Sequence, residues 1–389
     1  MKTYRVAILG CRGRGTAAAR AYHQHPRTRV VALCDLVPER LQALGDELGV
    51  AARYADLDEM LRREAPDIVA IPTGTEFHYE LAMRVLEYGC HIDIEKPLCP
   101  ALDEADRVIA KAGEKGARVA VHHQGRVGAS MRALRRALEE GRIGRPRYVQ
   151  GSGKGYYGGY GLMNIGTHTV NNMLGLVGHC RGVTAQVLTD GRPVGAGDAL
   201  QAANGMGLVA GEHISAQFDF ECGATGALLQ HRFPQVDSTA YALEVLGEEG
   251  RLFWKSDGAW ILPQPHWTPQ TGQWQPLPLD ELPGWDPAGA AAEADYAYAD
   301  EYVNALDEGR EHECGAVEGR HVMEILMGVL EAGATGRRVE LPQQDRSHPL
   351  EKWLQGAGAP SPQPGPRPYG EWLAAEDARL GRGPAGGSD

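Results

Sequence analysis

Residues 4–15 read YRVAILGCRGRG, an apolar run followed by three closely spaced glycines. The run has the length of a buried strand, and a glycine turn between strand and helix leaves room for a dinucleotide pyrophosphate at the helix N-terminus. Gly10 would form the tight turn, and Gly15 would allow close contact between helix and strand. The middle glycine of G-x-G-x-x-G is absent, because position 12 is Arg12 and the glycine is Gly13. The stretch favours a dinucleotide-binding Rossmann unit, although a turn that only reverses the chain also uses glycines.

Up to residue 123, short apolar runs alternate with segments of helical periodicity. The later runs are RVVALCD, DIVAIP, CHIDIE and ARVAVHH. This alternation predicts an α/β domain with a doubly wound parallel sheet and helices on both faces. Asp35 ends the second run, where a carboxylate binds the adenosine ribose hydroxyls and repels a 2′-phosphate. We therefore expect NAD as the cofactor, and Arg40, one turn further on, leaves some room for NADP.

The pattern changes after residue 123. ISAQFDF alternates apolar and polar residues and ECGATG has the composition of a hairpin turn, so we expect a largely antiparallel sheet with one open face. We assign residues 1–123 to the Rossmann domain and residues 124–344 to a second α/β domain. Residues 345–389 are rich in Pro and Gly, which predicts a tail that lies over the surface or is partly disordered. Part of this tail is expected to dock on its own subunit or a neighbour through Trp353, Tyr369 and Trp372.

Charge and composition argue against several classes of partner. The 39 basic and 51 acidic residues give a formal net charge of −12, which disfavours broad binding to nucleic acid or anionic membranes. No stretch approaches the roughly 20 apolar residues of a membrane span, and the first residues lead into a strand rather than a secretion signal. The seven cysteines are scattered, which favours reduced thiols in the cytoplasm and no zinc site. His122 and His123 should point to opposite faces of a strand, so no metal site is expected there.

Two further motifs contain residue types suited to proton transfer. CHIDIE is followed directly by Lys96 and Pro97, and a lysine at the carboxyl edge of a parallel sheet can donate to a substrate oxygen. LMNIGTHTVNN places His168 four residues after Asn164, on one face of a helix. Asn carries no charge to stabilise an imidazolium, so we expect His168 to be a weaker base than a histidine beside a carboxylate.

In this order the motifs resemble those of the Gfo/Idh/MocA oxidoreductase family. The run from PTGTEFHYELA to EKPLCP, then Arg126, EEGRIGRPRYV, GLMNIGTHTVN, EVLGEEGRL and GRRVELP follow the family pattern up to position 342. The resemblance implies an N-terminal Rossmann domain, a nicotinamide cofactor and a sugar, cyclitol or related polyol as substrate. It also implies a homodimer or homotetramer formed through the C-terminal sheet. The cofactor contacts that it implies are Gly10, Arg12, Gly13, Arg14, Gly15, Asp35, Arg40, Pro72, Thr73, His78, Glu95 and Lys96.

The resemblance also implies roles in catalysis. Lys96 matches the family's catalytic lysine, and His168 is present while the family's Asp is replaced by Asn164. We expect Lys96 to handle the proton and His168 to assist, held in orientation by Asn164. The candidates for substrate binding are Lys96, Arg126, Lys154, Tyr156, Tyr157, Asn164 and His168, with His231 and Arg232 as further residues of the crevice.

Three functions stay open at this point. The first is an NAD-dependent dehydrogenase or reductase that transfers hydride between nicotinamide and a hydroxyl-bearing carbon. The second is a glycosidase or lyase that retains NAD, oxidises the sugar transiently and eliminates the glycosidic bond. The third is a relative that binds a ligand without chemistry.

Overall fold

The structure, a computed structural model, describes residues 2–265 and 274–382, so the last seven residues of the predicted tail lie outside the described part. The strands of the first domain are β1 Tyr4–Leu9, β2 Thr28–Cys34, β3 Arg53–Tyr54, β4 Ile68–Ile71, β5 His91–Ile94 and β6 Val119–Val121. Its helices are α1 Arg14–Gln24, α2 Pro38–Leu48, α3 Leu57–Glu64, α4 His78–Glu87 and α5 Leu102–Lys115. All six strands are parallel, in the order β3-β2-β1-β4-β5-β6. This order is that of a Rossmann fold, and it confirms the predicted parallel sheet.

Local sequence explains where the elements of this domain begin and end. Strands β1, β4 and β5 are buried almost throughout, which is why they read as nearly continuous apolar runs. Pro38 opens α2, and the Asp56 carboxylate accepts a hydrogen bond from the Glu59 amide at the start of α3 (2.7 Å). Gly49 and Gly116 end α2 and α5 in the left-handed region, at φ 67° and 63°.

The second domain contains a larger sheet that is antiparallel except at one pair. Its strands are β7 Pro146–Ser152, β8 Cys180–Thr189, β9 Arg192–Pro193, β12 His213–Phe220, β13 Thr225–His231, β14 Ala242–Gly247, β15 Arg251–Lys255, β16 Gly258–Leu262, β17 Gln275–Pro276 and β18 Val339–Glu340. A separate hairpin pairs β10 Ala199–Gln201 with β11 Leu208–Ala210. The main order is β17-β16-β15-β14-β7-β13-β12-β8-β18, with β9 beside β8, and β7 and β13 run parallel. The prediction of a largely antiparallel sheet is confirmed.

Helices cover one face of this sheet and leave the other open. The helices of the second half are α6 Ala129–Glu139, α7 Gly158–Gly161, α8 Thr167–Val177, α9 Glu293–Glu308, α10 Ala316–Thr335, α11 Pro349–Gly356 and α12 Tyr369–Arg379. Helix α7 continues through a π-helical turn, Leu162–Gly166, into α8. Helices α6, α8 and α10 pack on the covered face. Among the residues that the structure describes, no helix has both the length and the apolar character needed to cross a membrane.

Helix α9 lies in the second half of the chain but packs against α1 of the Rossmann domain. Its residues Tyr298, Tyr302 and Val303 join the cluster of buried side chains that contains Val6 and Ile8 of β1. The Tyr302 hydroxyl donates to the carbonyl of Ile92 on β5 (2.7 Å). The boundary predicted at residue 123 therefore does not separate every element of the two domains. The reason is that the tyrosines of α9 are buried against the parallel sheet of the first domain.

The C-terminal segment docks on its own chain as ordered helices rather than lying loosely over the surface. Trp372 on α12 is 4% exposed, and its indole N–H donates to a carbonyl at the end of β10 (2.8 Å). The Tyr369 hydroxyl accepts a hydrogen bond from the backbone amide of Tyr157 (2.8 Å). Arg367, just before α12, pairs with Glu76 of the Rossmann domain. The tail thus contacts both domains, and the prediction of docking through Tyr369 and Trp372 is met within one chain.

We expect Trp372→Ala to detach α12 from the second domain. Loss of a buried tryptophan typically lowers the free energy of unfolding by about 3 kcal/mol or more, and the released segment should become an early site of tryptic cleavage. Thermal unfolding and limited proteolysis measure the two effects. Glu371→Ala, on the exposed side of the same helix, is the control. Equal protease resistance of Trp372→Ala and the parent protein would contradict the docking.

Candidate functional site

A chain of charges, half-buried at Arg14 and buried at its carboxylates, joins the glycine loop to the Glu-Lys-Pro turn. Arg14, at the start of α1, donates from Nε to Glu95 Oε1 (2.7 Å) and from Nη2 to Asp295 Oδ1 of α9 (2.7 Å). Although burial opposes the charged form, Glu95 and Asp295 raise the pKa of Arg14. The guanidinium of Arg14, which was predicted to contact the cofactor, is therefore bonded to two carboxylates. Arg14 positions Glu95 at the carboxyl edge of the sheet.

His122 extends this chain of charges deeper into the domain. Its Nδ1 lies 2.9 Å from Asp93 Oδ1 and its Nε2 lies 3.2 Å from Asp295 Oδ1. Burial lowers the pKa of His122, but the two carboxylates more than compensate and raise it to about 10. His122 is therefore an imidazolium at neutral pH and donates from both ring nitrogens. The series Asp93, His122, Asp295, Arg14 and Glu95 alternates in sign along its length.

Lys96 follows Glu95 and crosses to the π-helical turn of the second domain. Its Nζ donates to the Asn164 side-chain oxygen (2.9 Å) and to the Asn164 backbone carbonyl (3.0 Å). A π turn interrupts the regular ladder of helix hydrogen bonds, and such turns are frequent at functional sites. Burial lowers the pKa of Lys96, and the Glu95 carboxylate opposes that change. Both acceptors of the ammonium group are neutral.

His168 lies beside this pair without a hydrogen bond to Asn164 among the described contacts. Its ring meets the ring of His123 edge to face, with centroids 5.3 Å apart. Burial, followed by the positive charge of Lys96, holds the pKa of His168 well below its usual range, so the ring is neutral. The expectation that Asn164 orients His168 assumed a regular α-helix. The π turn changes that spacing, and the amide oxygen serves Lys96 instead.

The glycine loop leaves a cradle at the N-terminus of α1. Gly10 and Gly13 have φ values of 112° and 48°, which favour glycine. A Cβ on Gly15 would lie 1.8 Å from the Gly10 carbonyl oxygen, so only glycine fits there. Pro72 and Thr73 lie against the same loop, within 4 Å of a Cβ built on Gly10. The exposed Arg12 flanks the cradle.

Asp35 is fixed at the end of β2 by two backbone amides. Its Oδ2 accepts from the Cys11 amide (2.7 Å) and its Oδ1 from the Val37 amide (2.8 Å). Arg40 lies at its outer side, with Nη1 3.9 Å from Oδ1. The next residue, Leu36, is 85% exposed, an unusual position for a leucine that suits contact with a flat apolar ligand face. Leu36 could not be predicted as a site residue, because exposure is not visible in sequence.

Several predicted site residues have structural partners instead. His78 is buried between the carbonyls of Pro97 and Thr73, and it supports those two loops. Arg126 forms a buried ion pair with Glu318 on α10 (2.7 Å). Both side chains therefore make structural contacts: His78 with loops nearby in sequence, and Arg126 with a residue 192 positions away.

Three further candidates of the second domain are also committed to other contacts. Tyr157 is fully buried, and its hydroxyl contacts Glu376 of α12. Arg232 pairs with Glu212 (3.0 Å) and with Asp377 of α12. His231 bonds Ser215 across the outer side of the sheet. The sequence did not reveal these partners, and two of them, Glu376 and Asp377, belong to the docked tail.

Lys154 and Tyr156 extend the site from the glycine-rich loop after β7. The Lys154 Nζ lies 5.7 Å from the centre of the Tyr241 ring, and burial lowers its pKa. Tyr156 is half-buried and meets Tyr160 and Tyr369 edge to face, at 5.3 and 4.9 Å between ring centres. The tail therefore supplies part of the aromatic surface that borders the loop.

Within residues 2–265 and 274–382, no cluster of His, Cys, Asp and Glu side chains has the arrangement of a metal site. The most informative residue that sequence analysis missed is Asp295, which closes the buried series of charges from α9. Its separation from Arg14 by 281 positions left no local signal.

Comparison with known proteins finds a matching family and similar sequences. Residues 4–123 match the model of the Gfo/Idh/MocA family, described as an oxidoreductase family with an NAD-binding Rossmann fold. The D-glucoside 3-dehydrogenase of Escherichia coli is 29% identical over 192 residues, which are 45% of this chain and 54% of that protein. The glycosyl hydrolase family 109 protein 1 of Bacteroides thetaiotaomicron is 34% identical over 118 residues, 28% of this chain and 25% of that protein. The aligned part covers about half of the first relative and a quarter of the second.

A solved structure extends the comparison to both domains. Levoglucosan dehydrogenase in complex with NADH and levoglucosan superposes with a TM-score of 0.72 at 20% identity. The match covers 87% of this chain and 99% of that one. At this level of identity the likeness shows a shared fold.

We expect Asn164→Asp to raise the pKa of Lys96. The substitution would place a carboxylate in contact with the ammonium group, and an adjacent negative charge favours the protonated amine. NMR titration of protein with isotope-labelled lysine side chains reports this pKa directly. Asn304→Asp, the same change on α9 away from the crevice, is the control. An unchanged or lower pKa would show that residue 164 does not contact Lys96 in solution.

Proposed function

Because residues 4–123 match the Gfo/Idh/MocA oxidoreductase family, we propose that the chain belongs to this family and is an NAD-dependent dehydrogenase or reductase of a carbohydrate or polyol. The observation that carries the proposal is the placement of Lys96, held by Asn164, beside the neutral ring of His168. A buried amine next to a neutral imidazole at the carboxyl edge of a Rossmann sheet suits proton transfer to or from a hydroxyl group.

The residues of the first domain fit a bound dinucleotide. Gly10, Gly13 and Gly15 leave the backbone of this loop accessible at the N-terminus of α1, where a pyrophosphate is favoured. The fixed carboxylate of Asp35 supports binding of the adenosine ribose and preference for NAD over NADP. The contact of Arg40 with Asp35 keeps its charge next to a carboxylate. When bound, NAD supplies hydride acceptance or donation at its nicotinamide ring.

Lys96 and His168 have different roles in the proposed reaction. In oxidation the hydroxyl proton of the substrate would pass to the neutral amine of Lys96 and the hydride of its C–H bond would be accepted by the nicotinamide of NAD, leaving a carbonyl group on the product. The lowered pKa of Lys96 brings the neutral amine closer to working pH, which suits a general base. His168, uncharged, can accept or donate one hydrogen bond to the substrate and so orient the reacting hydroxyl.

The experiment that tests the proposal compares Lys96→Ala with the parent protein. NAD reduction is followed by nicotinamide absorbance over a panel of aldoses, uronates, cyclitols and methyl glycosides. We expect kcat to fall by about 10²–10⁴-fold in Lys96→Ala, while NADH binding, measured by fluorescence, persists. Lys111→Ala on α5 is the control. Full activity in Lys96→Ala would remove Lys96 from the mechanism, and failure of the parent protein to bind NADH would refute the cofactor assignment.

A glycosidase or lyase that retains NAD is the second candidate. The alignment with a glycosyl hydrolase family 109 protein favours it, because that protein's name denotes cleavage of a glycosidic bond. Here NAD would remain bound after purification, and aryl glycosides would release their phenol without net NAD reduction. Ligand binding without either reaction would identify the third alternative, a non-catalytic relative. The same substrate panel, extended by aryl glycosides, therefore separates all three.

We further propose that the open face of the larger sheet forms a homodimer contact, alone or within a tetramer. Leu229 on β13 is 46% exposed there, and Phe253, Trp260 and Trp274 pack together on the same side. Large exposed apolar side chains grouped on one face are typical of subunit contacts. A cytoplasmic location stays a prediction, and the seven free cysteines suit it.

We expect Leu229→Arg to weaken self-association by placing a charge in the contact. Sedimentation velocity measures the oligomeric state, and Val317→Arg, at an exposed position on α10, is the control. A parent protein that sediments as a monomer at micromolar concentration would refute the contact.

A further inference from the structure

The crevice contains two lysines whose ammonium groups have no carboxylate partner among the described residues. Lys96 Nζ is bonded only to the neutral oxygens of Asn164. Lys154 Nζ has the Tyr241 ring as its recorded neighbour, at 5.7 Å. By contrast, Lys111 on α5, which is also largely buried, contacts Glu87 at 2.5 Å. An unpaired cation in a partly buried position is costly, so this arrangement calls for an explanation.

The carboxylates near the two lysines are already engaged. Glu95 accepts from Arg14, and Asp295 accepts from both Arg14 and His122. The side chain at position 164 is an amide, which brings no charge to Lys96. The protein itself therefore supplies neutral acceptors, and no free carboxylate, to the space in front of Lys96 and Lys154 in the part of the chain that the structure describes.

Backbone hydrogen bonds on both sides of Lys154 hold the main chain of this loop in place. The Gly153 amide donates to the Leu229 carbonyl (2.9 Å), and the Phe233 amide donates to the Gly155 carbonyl (3.0 Å). The carbonyl of Lys154 itself accepts from the Asp237 amide (2.9 Å). Burial is the main cause that lowers the pKa of Lys96, and the positive charge of Lys154 adds to that effect. The Tyr241 hydroxyl, beside Lys154, accepts a hydrogen bond from the Asn172 side chain on α8 (3.2 Å), so Lys154 borders the helix that begins directly after the π turn of Asn164.

We propose that the substrate carries an anionic oxygen group, a carboxylate or a phosphate, and that Lys154 binds this group while Lys96 faces the reacting hydroxyl. The inference rests on the proposed function and names its substrate class. Hydrogen bonds to a charged partner are stronger than those between neutral groups. An anion would also offset the repulsion between the two lysines, so the positive crevice selects acidic sugars over neutral ones.

Equilibrium binding in the presence of saturating NADH tests the inference. Calorimetric titration compares three matched series of ligands: glucose, galactose and mannose, their uronates and their 6-phosphates. We expect the acidic member of at least one series to bind about tenfold more tightly than the neutral sugar. Comparison of the uronate with the phosphate identifies which anion the site accepts.

Variants at position 154 assign the effect to this residue. Lys154→Gln should remove the preference for the acidic ligand and leave binding of the neutral sugar largely unchanged, whereas Lys154→Arg should retain the preference. Lys111→Gln removes a cation that has a carboxylate partner outside the crevice, and it should change nothing.

Three results would overturn the inference: neutral sugars that bind as well as the acids, acids that do not bind at all, or equal losses for both ligand classes in Lys154→Gln. The NADH titration and the Lys96→Ala assay stand apart from these results. Loss of NADH binding or of the Lys96 effect would refute the proposed function itself, while the results above refute only the substrate class.

Discussion

The site depends on the alternating series of charges that runs from Asp93 through His122, Asp295 and Arg14 to Glu95. Burial of single charges is costly, and removal of one partner leaves its neighbour uncompensated. Here each internal member has a partner of opposite sign on both sides. The series therefore ties three separate elements together: the start of α1, the end of β5 and helix α9. Glu95 and Lys96 owe their place at the sheet edge to this arrangement.

The same arrangement explains why the crevice in front of Lys96 is positive. The nearby carboxylates form ion pairs with Arg14 and His122 inside the protein. Asn164 offers the amine of Lys96 only uncharged hydrogen-bond acceptors. The neutral state of His168 follows from burial next to this positive charge. Under the proposed function, proton transfer would then fall to a single titrating group, Lys96, with the polar but uncharged ring of His168 beside it. Asn164 thus leaves the positive charge of Lys96 unbalanced, and it does not hold the ring of His168.

Much of the first domain could be predicted from sequence, because its signals are local. The glycine turn and the alternation of strands and helices each depend on residues a few positions apart, and the structure agrees with the predicted sheet. The role of Asp35 in binding a ribose stays a prediction. The contacts that Arg126 and Tyr157 make could not be predicted, for the opposite reason. Their partners, Glu318 and Glu376, lie far along the chain. Periodicity also assumes regular geometry, and so it did not anticipate the π turn that gives Asn164 to Lys96.

The packing of α9 against α1 has a consequence for synthesis on the ribosome. The parallel sheet is complete once β6 has emerged, yet the surface that α9 covers stays bare until the chain has grown through Glu308. Arg14 cannot form its ion pair with Asp295 until 281 further residues have been translated. Domains generally fold as they emerge, the N-terminal one first, but this one can finish only after most of its successor has been translated. A chaperone that shields exposed apolar surface would therefore act on the first domain during the translation of the second.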